Sequence, residues 1–121
     1  MVVAFWIVAG LTALGFLAAG ANKLARPKAA LATGGLSWTD DFGAGPVKLI
    51  GAAEVLGAFG LILPALLRIV PILSPIAGVA LAVLMVGAIA THIRRKEAFV
   101  LPLVLGLLAV ASAVLGFLAV I

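Results

Sequence analysis

Four long apolar runs, separated by short polar or proline-rich breaks, dominate the pattern of this chain. They cover residues 2–22, 46–67, 72–91 and 99–121, with residues 23–45 forming the longest break. Each run holds roughly 20 residues, which at about 1.5 Å per residue spans a hydrocarbon core of about 30 Å. The runs are continuously apolar rather than alternating, so the pattern predicts helices and not the strands of a membrane barrel. None carries the charged stripe that a helix of a water-soluble bundle would turn outward. The first run lacks a basic segment before it, which argues against a secretory leader. The reading is therefore all-α: a polytopic membrane protein built as a single four-helix domain over residues 1–121.

The breaks have local causes. Pro27 biases Arg26 away from helical geometry and ends the first helix. GAGP, residues 43–46, opens the second, with Pro46 suited to a first turn where a missing N–H costs little. Pro64 tightens the end of that helix, and Pro71 and Pro75 bracket a short hairpin into the third. Pro102 falls in the first turn of the fourth. No internal repeat has a convincing period.

Composition supports this picture. Of 121 residues, 66% are apolar and 10% charged, against about 45–50% and about 25% in an ordinary soluble domain. The absence of cysteine removes disulfides, thiolate metal sites and CxxC redox chemistry of the chain's own. The net charge of +4 would suggest nucleic acid in a soluble chain, but here it marks topology, and no nucleic-acid partner is expected. Lys23, Arg26, Lys28 and Lys48 flank the first break, and Arg94, Arg95 and Lys96 the third; Arg68 alone lies on the other side. The excess of basic residues predicts that these loops are cytoplasmic and both termini non-cytoplasmic, in a cell inner (plasma) membrane.

The break after the first helix contains ALATGGLSWTDDFGAG, residues 30–45. Trp38 and Phe42 are spaced to lie together at the headgroup level, either as a flap over a cavity or as a plain interfacial anchor. Asp40 and Asp41 lack further ligands and are expected to be solvated or paired with nearby basic residues.

The run KLIGAAEVLGAFGLILP, residues 48–64, holds a carboxylate, Glu54. A charge at mid-bilayer costs about 2.5–3.5 kcal/mol on insertion scales, so a partner or a cavity is expected. The helical neighbours of Glu54 are Ile50, Gly51, Gly57 and Ala58, a face of small residues that lets another helix come close. Asn22, Lys23, Lys48, Thr91 and His92 belong to the same half of the bilayer. The sharpest expected pair is Lys23 with Glu54, across a depth gap of roughly 10 Å, with His92 nearby; Lys48 is poorly placed on Glu54's own helix. The candidate ligand-binding or buried polar centre is thus Lys23, Glu54, His92, Lys48, Asn22 and Trp38, with no catalytic residue assigned. One His and one Glu fall short of a metal's usual three or four protein ligands, so no metal is expected and no cofactor is assigned.

FLAAGANKLARP (residues 16–27), KLIGAAEVLGAFGLILP (48–64) and ATHIRRKEAFVLP (90–102) together resemble the recurring blocks of the DoxX-like small membrane proteins. The matching positions are Gly20, Lys23 and Leu24; Lys48, Gly51 and Glu54; and His92. The resemblance covers nearly the whole chain. It implies a four-helix membrane bundle, mostly bacterial, with relatives linked to membrane oxidoreductase assemblies, among them a thiosulfate–quinone oxidoreductase subunit, and an animal relative that acts in receptor assembly. It implies no catalytic assignment for these residues. The leading functional expectation is a non-catalytic accessory subunit that assembles with or anchors a larger membrane complex, such as an oxidoreductase. The alternative is binding or conversion of a hydrophobic small molecule, such as a quinone or isoprenoid lipid, in a pocket around Glu54. A small transporter would require a homo-oligomer.

Overall fold

The computed structural model describes residues 1–33 and 43–119. Among these residues five helices follow one another: α1 (Val2–Ala25), α2 (Lys28–Thr33), α3 (Ala44–Leu67), α4 (Leu73–Arg94) and α5 (Val100–Ala119). Four of them, all but α2, are long and apolar enough to cross a membrane. Among the described residues there is no strand.

The boundaries differ from the sequence reading in ways that matter for the site. The first helix continues past Asn22 to Ala25, so Lys23 lies in its last turn rather than in a loop. It stops where Arg26 turns extended, φ −102° and ψ 143°, as the following Pro27 requires. The break between the first two spans carries the short helix α2. The second span starts earlier, at Ala44, after the extended residue Gly43; Pro46 then falls in the first turn, where its missing N–H has no intrahelical acceptor to lose. The third span continues past Thr91, which makes His92 helical.

The turn from α3 to α4 is tight. Arg68 takes a left-handed conformation, φ 57°, and the N–H of Ile69 donates to the Pro64 carbonyl at 3.1 Å. Val70 is also at positive φ, 45°, an unusual state for a β-branched residue. Two contacts hold it there: the Leu73 N–H donates to the Val70 carbonyl at 3.0 Å, and the buried Ser74 hydroxyl donates to the Leu61 carbonyl across the turn.

The long helices form a closed ring in which each packs on two neighbours: α1 on α3 and α5, α4 on α3 and α5. Neighbours run antiparallel, since Gly20 meets Gly51 across α1 and α3, Gly15 meets Leu105 across α1 and α5, and Gly106 meets Met85 across α4 and α5. Small residues set these contacts. A Cβ on Gly57 would stand 2.6 Å from Leu81, and one on Gly78 would stand 3.0 Å from the Ala109 carbonyl oxygen. Such close approach suits a bilayer, where helix association relies on packing because lipid tails are as apolar as leucine. The interior is correspondingly thin: Phe16, Ala58, Leu61, Leu81, Met85, Leu105 and Ala109 form the main cluster. The outer faces carry the large apolar side chains instead, with Leu14, Leu49, Leu56 and Val83 each about two-thirds exposed or more. That surface is stable only against lipid.

Candidate functional site

The site begins with a backbone contact. Gly20 of α1 and Gly51 of α3 lie face to face, so close that a Cβ on Gly20 would stand 2.6 Å from the Gly51 carbonyl oxygen. A Cβ on Gly51 would come within 2.9 Å of the Lys23 Cβ. With no side chain in the way, the Lys23 stem runs along α3 for about one helical turn and its ammonium donates to Glu54 Oε1 at 2.7 Å. The depth gap anticipated between these residues is closed by the extra turn of α1 and the glycine crossing together. Glu54 is 1% and Lys23 8% exposed. At this burial the pair is net neutral, each charge being the other's main relief from desolvation.

Lys48 does something else. Its ammonium donates to the carbonyls of Lys23 at 2.5 Å, Leu24 at 3.2 Å and Arg26. These are carbonyls at the end of α1, which have no intrahelical donor and carry the negative end of the helix dipole. Lys48 therefore fastens the last turn of α1 to the start of α3, and it supports the Lys23–Glu54 pair by holding the turn that carries Lys23.

His92 reaches the same region from α4. The helix ends in a left-handed residue, Lys96 at φ 57°, and the Glu97 N–H donates back to the His92 carbonyl at 2.9 Å. This reversal returns the Glu97 carboxylate to the histidine: Oε1 is 3.7 Å from His92 Nδ1 and 3.3 Å from Arg95 Nε. Thr91, beside His92, donates its hydroxyl to the Gly87 carbonyl at 3.0 Å.

Between these groups lies a cavity of about 430 Å³, within the range of roughly 300–1,000 Å³ usual for small-molecule sites. Lys23 and Glu54 line it from α1 and α3, and Thr91 and His92 from α4. Its remaining walls are apolar, with Ile50, Leu84, Met85, Leu101 and Leu105 prominent. The structure thus brings together Lys23, Glu54 and His92 of the residues expected at the centre. Lys48 and Asn22 do not line the cavity. Trp38, with Asp40, Asp41 and Phe42, lies outside the described residues. Thr91, which the sequence placed in the same half of the bilayer but not in the candidate centre, is a wall residue, and Glu97 as the carboxylate beside His92 escaped the sequence reading. Among the described residues no three His, Asp or Glu side chains gather as a metal-ligand set.

Residues 7–114 match the DoxX-like family. The chain belongs to that family. The match runs through α1, α3 and α4 and into α5, so every described wall of the cavity falls within the DoxX-like region. This DoxX-like protein matches no curated protein and no solved structure at a significant level.

Proposed function

We propose that this DoxX-like protein binds an uncharged hydrophobic small molecule, of the quinone or isoprenoid-lipid kind, with its polar end at Lys23, Glu54 and His92. The observation that supports it is the cavity of about 430 Å³ built on a buried ion pair. Few, well-placed polar groups in an otherwise apolar wall are what orient such a ligand. The lysine and glutamate cancel one another, so the polar end favours a neutral hydrogen-bonding group over a phosphate or carboxylate. His92 backed by Glu97 gives that group a titratable neighbour, which extends the reading to proton transfer during conversion of the ligand.

Native mass spectrometry of the gently extracted protein tests this. The expected result is a retained apolar adduct that is lost in Glu54→Gln. An adduct-free protein that stays folded would overturn the reading. The companion reading is a non-catalytic accessory subunit of a larger membrane complex, such as an oxidoreductase. Its support is the absence of cysteine and the single histidine, and it predicts a stoichiometric protein partner in the same spectrum. In both readings residues 1–121 act as one domain in a cell inner (plasma) membrane, the basic loops facing the cytoplasm.

A further inference from the structure

The cavity wall includes one residue that also belongs to the outer surface. Gly87 of α4 is exposed, lines the cavity, and would meet nothing within 4 Å if given a Cβ. It stands three residues after Leu84 and four before Thr91, so it shares their side of the helix. Nearer the start of α4, on the face that packs against α3 and roughly a quarter to a third of a turn round the helix from Gly87, Ala77 packs on Gly60 and Leu81 packs on Gly57 at distances no added methyl group would tolerate easily. Helices α3 and α4 are thus tight toward the Pro71 end, whereas at Gly87 the cavity reaches the exposed side of α4.

Depth decides what lies outside this opening. Gly87 is about 10 Å along the axis from Arg94 at the helix end, within the hydrocarbon and not at the headgroups. Around it the surface is apolar, with Val83 and Val86 each about two-thirds exposed. Within the opening, Ile50 and Leu84 line the cavity, and Glu54 and Lys23 lie at its inner end.

We infer that the ligand reaches the cavity sideways from the bilayer, between α3 and α4 at Gly87, and is a lipid-dissolved amphiphile with a neutral hydrogen-bonding head. This rests on the binding reading above and adds the route and the ligand's phase. A solute arriving by this path never crosses water, and its head leaves hydrocarbon only on meeting Lys23, Glu54 and His92. Glycine at position 87 keeps the path open, since any larger residue would project into it.

The test uses the full chain in liposomes of zwitterionic phospholipid, with a diazirine-bearing long-chain alcohol dissolved in the bilayer as the probe. After illumination, labelling at Glu54 itself, which is 1% exposed, is localised by fragmenting the 48–64 peptide in the mass spectrometer, apart from labelling of that peptide's lipid-facing side chains such as Leu49 and Leu56. The wild-type protein is expected to label there. Gly87→Trp should reduce that labelling to near background and Gly87→Leu should reduce it partly. A Cβ at position 87 meets nothing within 4 Å, and the smaller variant serves if the larger impairs folding. Gly10→Trp is the matched control, because a Cβ at Gly10 also meets nothing within 4 Å but Gly10 lies off the cavity; labelling should persist. Wild-type labelling that both Gly87 variants leave unchanged would overturn the lateral route alone. Absence of labelling in the wild type would overturn the binding reading and the route together.

Discussion

Glu54 and Lys23 are each costly to bury and inexpensive to bury together. A carboxylate in the middle of α3 has no water to turn to, and the ammonium at 2.7 Å supplies both charge and a hydrogen bond. Glu54→Gln and Lys23→Met should therefore each lower stability, by about 3–5 kcal/mol, because each leaves the opposite charge buried without its counterion. The double variant Lys23→Met/Glu54→Gln should cost far less than the two single changes added, since it removes both buried charges at once. Unfolding of the four proteins in one detergent measures this, and simple additivity would show that the pair is not coupled. If the double variant is stable yet loses its apolar adduct, the pair serves the ligand in addition to the bundle.

At the scale of helices, glycines decide which faces touch. Gly20→Ala or Gly51→Ala would push a methyl group into backbone or into the Lys23 stem, forcing α1 and α3 apart. A loss of about 1–3 kcal/mol is expected, the usual effect of overpacking. Gly10→Ala and Gly87→Ala meet open space, and should be neutral or stabilising by up to about 1 kcal/mol, since alanine is the better helix former. Thermal melts in detergent that ranked the four alike would refute this account of the α1–α3 crossing. The same contrast explains what the sequence disclosed. That Glu54 shares a face with Gly51 follows from helical spacing alone, so the small-residue face and the choice of Lys23 as partner were legible. The role of Lys48 was not, because it depends on α1 running past Asn22 to leave carbonyls within reach of that ammonium. Glu97 was hidden for a similar reason. It returns to His92 only because Lys96, not a glycine, adopts the left-handed turn, and nothing in the residue type announces that. The opening at Gly87 depends on how two helices pack, which no single segment encodes.

Over the whole molecule, the antiparallel ring gathers the end of α1, the start of α3, the end of α4 and the start of α5 at one pole. Every lysine and arginine except Arg68 falls in or beside that pole. The cavity lies in the same half, so the orientation of the chain decides which leaflet its polar end faces. So one-sided a distribution of basic residues favours a single orientation with that pole cytoplasmic, because basic loops are retained there. A chain without cysteine makes the test clean. Ile69→Cys places a thiol in the exposed turn at the opposite pole, and Ala29→Cys places one in α2 at the basic pole. A membrane-impermeant maleimide added to intact cells should label Ile69→Cys at once and Ala29→Cys only after the membrane is opened. The reverse pattern would put the termini in the cytoplasm and the polar end of the cavity in the outer leaflet. Equal labelling of both from outside would mean the chain inserts both ways, which the seclusion of Arg68 from every other basic side chain argues against.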